Sequence, residues 1–325
     1  MKLIYFLKMN FKKPKFWDLK KPSLLSHLLL PFTIFLQINN YLLKLKSKRK
    51  SKEVKTICIG NIYLGGTGKT PLTIKLFDIL KDLEIKIATA KKYYLSQIEE
   101  QIMLKNKTNF ITSKTREKII EKSIQEKIDL IIFDDGLQDK NLNYDIQFVC
   151  FDSDTWIGNG RLIPSGPLRE NLSSLNKYDA VFLKTYNKNN VDNLIHSIKK
   201  INHQIKIFKV FYEILNLDQF DLNEKYFAFS GIGNPKSFED LLIKKNFNVI
   251  NKHIYPDHYK YLQKDIDTLK KKANDEGAKL ITTEKDYIKI PEKDKDNINC
   301  LKLGLEIDDE VGLLNFIKKK LNETN

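Results

Sequence analysis

Residues Thr56–Thr70 read TICIGNIYLGGTGKT, and Pro71–Leu80 continue as PLTIKLFDIL. The opening TICI is a short apolar, β-branched run that suits a buried strand, and a proline at the first turn of the periodic run after it marks a helix start. Between strand and helix stands Gly65-Gly66-Thr67-Gly68-Lys69-Thr70. That setting lets backbone N–H groups converge on phosphate oxygens while the helix N-terminus adds its dipole. Tyr63, Leu64, Gly65, Gly66, Thr67 and Gly68 are therefore expected to wrap a nucleotide's phosphates, with Lys69 reaching the β- and γ-phosphates and Thr70 offering its hydroxyl to Mg²⁺. The usual G-x-x-x-x-G-K-T spacing would put glycine at position 63, where this chain has Tyr63.

A second acidic signal fits the first. Leu130–Phe133 reads as another strand and runs straight into Asp134-Asp135-Gly136-Leu137-Gln138. In phosphate-loop proteins an acidic residue at the tip of a neighbouring strand holds the magnesium beside the loop hydroxyl, so Asp134 and Asp135 are the expected metal ligands. Either could be the nearer one.

The rest of the chain alternates strands and helices. Strands are expected at 86–90, 146–151, 180–183, 205–212, 226–230, 248–254 and 280–283, and helices at 117–125, 238–245, 263–273 and 310–321. Such alternation predicts a mostly parallel sheet with helices on both faces, a P-loop NTPase-like α/β fold. The length of 325 residues leaves room for a second, smaller domain, and the polar stretch Asp218–Asn223 is the natural boundary. We therefore divide the chain into a basic, apolar N-terminal segment (1–52), a P-loop domain (53–220) and a smaller C-terminal α/β domain (221–325) that contributes to the acceptor site.

The N-terminal segment has its own character. Leu24–Leu36 read LLSHLLLPFTIFL, too short for the roughly 20 apolar residues a bilayer crossing requires. Lys8, Lys12, Lys13, Lys15, Lys20 and Lys21 precede it, and Lys44, Lys46, Lys48, Arg49, Lys50 and Lys52 follow. Basic residues at both ends suit a helix lying in a headgroup layer of anionic lipids. An ordinary amphipathic helix packed on the domain, or a single N-terminal anchor, would use the same residues. The net charge of +15 suits any anionic partner and does not choose among them. Cys58, Cys150 and Cys300 lie far apart, which suggests neither a zinc site nor a disulfide framework and points to a reducing compartment.

Six blocks in order carry a family resemblance: GNIYLGGTGKTP, DDGLQD, GNGRLIPSGPLRE (Gly158–Glu170), FSGIGNP (Phe229–Pro235), YPDHYKY (Tyr255–Tyr261) and TTEKD (Thr282–Asp286). Together they resemble the tetraacyldisaccharide 4′-kinases over about Pro22 to Ile290, most of the chain. The resemblance implies transfer of the γ-phosphoryl group of ATP, with Mg²⁺, to the 4′-hydroxyl of a tetraacylated disaccharide 1-phosphate. It also implies action as a monomer at the cytoplasmic face of a bacterial inner membrane, with no nucleic-acid partner. In that family an acid partnered by a histidine activates the hydroxyl. The matching histidine is His258, and the matching acid falls at Glu99 or Glu100, where the family shows an aspartate before a glutamate. The family's Ser-Arg-Gly-Tyr appears here as Ala90-Lys91-Lys92-Tyr93, and the loop leading to the acid is much shorter. Gln138 of DDGLQD is expected to line the nucleotide, and Arg169 of GPLRE either offsets charge on the transferring group or pairs with Glu170.

Two other classes compete with this reading. A partitioning or maturation NTPase at the membrane surface would hydrolyse nucleotide without a sugar acceptor. A non-enzymatic binder of membrane or nucleic acid would lack nucleotide affinity and, on nucleic acid, would show steep salt dependence. Neither calls for the GNGRLIPSGPLRE and YPDHYKY blocks.

Overall fold

The computed structural model describes residues 13–45, 49–51, 53–139, 141–185 and 191–323. Its first elements are α1 (Leu24–Leu28), α2 (Thr33–Leu45), β1 (Arg49–Lys50), β2 (Lys55–Gly60), α3 (Lys69–Leu80), β3 (Ile87–Lys92), α4 (Ile98–Lys107), β4 (Phe110–Ser113) and α5 (Arg116–Gln125). Next come β5 (Leu130–Asp134), β6 (Leu142–Asn143), β7 (Ile146–Asp152), β8 (Ala180–Lys184), α6 (Asp192–Ile201) and β9 (Lys206–Ile214). The remainder is β10 (Lys225–Ser230), α7 (Pro235–Lys244), β11 (Asn248–Ile254), α8 (Gln263–Asp275), β12 (Lys279–Thr283), α9 (Glu284–Tyr287), β13 (Ile298–Leu301), β14 (Leu303–Ile307) and α10 (Glu310–Glu323).

The main sheet has the order β14-β9-β8-β7-β2-β5-β3-β4, parallel throughout except for the antiparallel edge pair β14–β9. Strand β2 lies between β5 and β7 and is buried on both faces. Ile57 and Ile59 point to one face and pack with Leu72 and Leu76 of α3, while Cys58 points to the other among Ile131, Phe133 and Val149. Side chains buried on both faces suit a strand that helices cover from either side of the sheet. A second sheet, β11-β10-β12-β13, is wholly parallel. Ile266 and Leu269 of α8 cover one of its faces, and Phe238, Leu241 and Leu242 of α7 cover the other.

The chain's last segment departs from the expected division. Residues 303–323 were assigned with the smaller domain, yet β14 pairs with β9, and Leu305, Ile307, Leu313 and Ile317 join the core of the main sheet. The reason is geometric: β9 would otherwise be an exposed edge, and α10 carries an apolar stripe that the α3 face of the main sheet can bury. The smaller sheet is thus inserted between β9 and β14.

The N-terminal helices are arranged with their polarity reversed. Ser26 and Thr33 are buried, whereas Leu24, Leu28 and Phe35 are 79%, 65% and 72% exposed. Ser26 Oγ donates to the Ser165 carbonyl at 2.6 Å, Asn159 Nδ2 donates to Ser26 Oγ at 3.2 Å, and Trp17 Nε1 donates to the Pro164 carbonyl at 3.0 Å. Polar groups therefore hold the helices to the body, and leucine and phenylalanine face outward. No helix among the described residues is long and apolar enough to cross a membrane. Of the flanking basic residues, Lys8, Lys12, Lys46, Lys48 and Lys52 lie outside the described residues, as do the side chains of Lys44 and Arg49.

Candidate active site

The carboxyl ends of both sheets supply the site, as they do in open parallel α/β sheets generally. From the main sheet come the glycine turn after β2, Lys91 near the end of β3, and Asp134 at the end of β5. From the smaller sheet come Gly231–Asn234 after β10, Asp257 and His258 after β11, and Lys285 after β12.

Gly68 caps α3 with φ of +78°, a left-handed backbone that disfavours any side chain, so the loop turns sharply and points its N–H groups past the helix end. Asn61 Nδ2 braces the turn by donating to the Gly65 carbonyl and to Thr67 Oγ1, both at 3.1 Å. Gly233 of the smaller domain lies directly against it; a Cβ there would fall 2.6 Å from the Gly66 nitrogen. Tyr63, expected among the phosphate-binding residues, is 1% exposed and carries its hydroxyl to Asp18 and Lys13, away from the loop's open side. It supports the turn by packing its ring beneath Gly65, while Leu64 donates its N–H to the Pro167 carbonyl at 2.8 Å.

Thr70 Oγ1 donates to Asp134 Oδ2 at 2.7 Å, so the loop hydroxyl and the β5 carboxylate meet as expected. Lys91, 2% exposed, donates to the same oxygen at 2.9 Å and to Glu100 Oε2 at 2.8 Å. Burial works against the Lys91 charge, but Asp134, Glu100 and Asp135 outweigh it and hold the ammonium firmly protonated. Asp135 has φ of +65°, a conformation aspartate tolerates better than most residues. Burial pushes its carboxyl up, yet Lys69, Arg169, Lys91 and Arg116 together bring it below the usual carboxylate range. Arg169 Nη1 stands 3.8 Å from Asp135 and donates to Gln138 Oε1 at 3.2 Å. The alternative partner of Arg169 is taken: Glu170 binds Lys177 at 2.8 Å and accepts from Tyr178 and Gln138. Gln138 thus links the aspartate loop to GPLRE.

Glu99 and Glu100 open α4, which packs between α3 and α9. They divide cleanly. Glu99 Oε1 is hydrogen-bonded to His258 Nδ1, while Glu100 is held by Lys91 and by Lys285 at 3.1 Å. Burial raises the Glu99 carboxyl, but the His258 hydrogen bond and the Lys285 charge outweigh burial and leave it lowered. Glu100 is held well below the carboxylate range: burial opposes this, and Lys285, Lys91 and Lys69 override it. His258 has φ of +58°, an unusual backbone for this residue that persists only where the surroundings over-determine it.

Lys91, Lys285 and Asp257 were not singled out from sequence. Lys285 lies 3.1 Å from Glu100, 3.3 Å from Asp257 and 3.8 Å from Glu99, one ammonium among three carboxylates, two from the start of α4 and one from the turn after β11. The signal was present in TTEKD, whose Asp286 turns out to be structural. It accepts from the Gly231 N–H, Thr283 and Tyr261, tying three of the sequence blocks together.

Among the described residues no group of three or more histidine, cysteine or acidic side chains could cage a metal. Magnesium does not need one, because it retains waters and substrate phosphate oxygens and takes one or two carboxylates. Asp134 Oδ1 and Asp135 Oδ1 are buried without a hydrogen-bond partner, and the Thr70 hydroxyl is bonded to the other oxygen of Asp134, a donor set that fits that ion.

Comparison with known proteins shows the family. Residues 22–322 match the family model described as tetraacyldisaccharide-1-P 4′-kinase. The tetraacyldisaccharide 4′-kinase of Pelagibacter ubique is 44% identical over 319 residues, covering 98% of this chain and 100% of that protein. The protein of the same name from Rickettsia canadensis is 34% identical, covering 94% and 97%. Among solved structures, the "apo" form of LpxK from Aquifex aeolicus in complex with ATP superposes with a TM-score of 0.66 at 24% identity, covering 91% of this chain and 99% of that one.

Proposed function

Since this chain belongs to the tetraacyldisaccharide-1-P 4′-kinase family and is a kinase of lipid A biosynthesis, transferring the γ-phosphate of ATP to the 4′-hydroxyl of a tetraacyldisaccharide 1-phosphate, we propose that Glu99 is the base of that transfer. The observation that carries this reading is the Glu99–His258 contact, made between α4 of one domain and the turn after β11 of the other.

A sugar hydroxyl is a weak nucleophile near neutral pH, so a carboxylate must accept its proton as the bond to phosphorus forms. Glu99 is kept ionised, and the His258 bond fixes which way its second oxygen points. Glu100, held by two lysines, is turned to charge balance beside Asp134 and is not available to take a proton. Lys69 and Arg169 offset the charge that builds on the transferring group, and the glycine turn holds the donor phosphates. Thr70, Asp134 and Asp135 would hold Mg²⁺, which when bound screens the charge of the donor phosphates. Gln138 orients Arg169 from the loop after β5.

The outward-facing leucines and phenylalanines of α1 and α2 support a seat on the membrane surface, at the cytoplasmic face where the nucleotide is found. That position lets the site reach a disaccharide whose acyl chains remain in the bilayer. The test is phosphate transfer to the lipid disaccharide by purified protein and by Lys69→Ala. Loss of transfer in the variant is expected, and transfer at the wild-type rate would overturn the role given to the loop.

A further inference from the structure

The block GNGRLIPSG does more than seat the N-terminal helices. Arg161 is pinned through its backbone, its N–H donating to Asn159 Oδ1 at 3.1 Å and its carbonyl accepting from Leu168 at 3.0 Å. Its guanidinium reaches His27 on α1, with Nη2 at 3.4 Å from Nδ1 and 3.5 Å from Nε2. Near-equal distances to both ring nitrogens mean that the guanidinium stands against the ring and does not form one in-plane bond. Nη1 is buried and has no hydrogen-bond partner. The other described arginines that serve the site do have carboxylates, Asp139 for Arg116 and Asp135 for Arg169, whereas no ion pair is made by Arg161 among the described residues.

The Nη2 edge of the guanidinium and the imidazole are exposed together with no acid to answer them, and a planar guanidinium so placed is a receptor for an oxyanion. Its location says what carries the anion. His27 lies between Leu25 and Leu28, which are 50% and 65% exposed, and Lys20 and Lys21 are exposed just upstream. Acyl chains lying against those leucines would bring their polar end level with the pair. We propose that Arg161 and His27 form a binding site for a phosphate group carried by a lipid. The inference rests on the surface seating proposed above. The phosphate belongs either to a bilayer phospholipid or to the phosphorylated disaccharide itself.

The test uses the full chain in two arms. In the first, binding to vesicles of phosphatidylcholine alone is compared with vesicles containing phosphatidic acid, for the wild type, Arg161→Gln, Arg161→Lys and Lys264→Gln, the last removing one exposed charge elsewhere. In the second, KM for the disaccharide 1-phosphate is measured in neutral detergent micelles. Loss of one charge-assisted contact should cost Arg161→Gln about tenfold in whichever arm holds the source, with Arg161→Lys recovering most of it. A tenfold loss of the preference for phosphatidic acid assigns the bilayer lipid; a tenfold rise in KM assigns the substrate. If Arg161→Gln tracks Lys264→Gln in both arms, the site is refuted. Should the wild type ignore every vesicle, the membrane seating falls and the KM arm alone decides. If Arg161→Gln does not fold, as judged by its melting curve, His27→Ala reports on the same contact.

Discussion

Glu99→Gln isolates the chemical step. The amide is nearly isosteric, and its oxygen can still accept from His258, so the contact between the domains is retained. The cost to folding is small because Lys285 keeps Glu100 at 3.1 Å and Asp257 at 3.3 Å when the Glu99 charge, 3.8 Å away, is removed. What disappears is the proton acceptor. General-base catalysis contributes about 10²- to 10⁴-fold, so kcat should fall by that factor, roughly 2.7 to 5.5 kcal/mol in the barrier. The assay is transfer of labelled phosphate from ATP to the lipid disaccharide, with nucleotide affinity followed by calorimetry and expected to be unchanged. The pH profile supplies a second reading. The Glu99 carboxyl is lowered, so the ionised base survives as pH falls and kcat declines only below the ordinary carboxylate range. Removing the His258 bond with His258→Ala leaves burial less opposed, raises that carboxyl, and should move the acid limb to higher pH. Transfer by Glu99→Gln within about threefold of wild type, well short of the general-base range, would refute the assignment. So would a larger loss in Glu100→Gln with nucleotide binding intact.

Further expectations concern the surroundings. Gly233→Ala would set a methyl group 2.6 Å from the Gly66 nitrogen, an overpacking of about 1–3 kcal/mol that should weaken nucleotide binding while leaving both sheets folded, measurable by calorimetry and circular dichroism. Asp134→Asn leaves Lys91 and Thr70 without their shared carboxylate, and should remove the Mg²⁺ dependence of nucleotide affinity in a titration with and without the ion. Replacing Leu24, Leu28 and Phe35 together by serine should lessen sedimentation with liposomes without lowering the melting temperature, because those side chains are exposed in the folded chain.

The parts of the site that were legible in sequence are those built from contiguous residues. TICIGNIYLGGTGKTP encodes its own strand, turn and helix start, and LIIFDD carries its acid to a strand tip by the same local logic. The Lys91–Glu100–Lys285 chain was not legible, because β3, α4 and α9 are separate segments whose approach is fixed by packing and not by spacing. Family blocks led to His258 and to the pair Glu99 and Glu100, and side-chain contacts then distinguished the two acids. Helix α10 was recognisable from its periodicity, but an apolar stripe does not state which sheet it will cover. The reversed polarity of α1 and α2 was hidden for a similar reason: hydropathy identifies the leucines without saying that Ser26 and Thr33 face inward.

The return of β14 to the main sheet has a practical bearing. The smaller domain leaves after β9 and re-enters at β14, and these two strands are hydrogen-bonded neighbours, so both of its tethers spring from one spot. The lobe that brings His258 and Lys285 to Glu99 is thus joined to the main sheet at one place, and contacts such as Lys107 to Glu284 and Asn234 to Asp152 fix its seat. Shortening the polypeptide from its carboxyl end would not trim this lobe. It would strip the last strand and helix from the nucleotide-binding half and expose the core face that α3 shares with them.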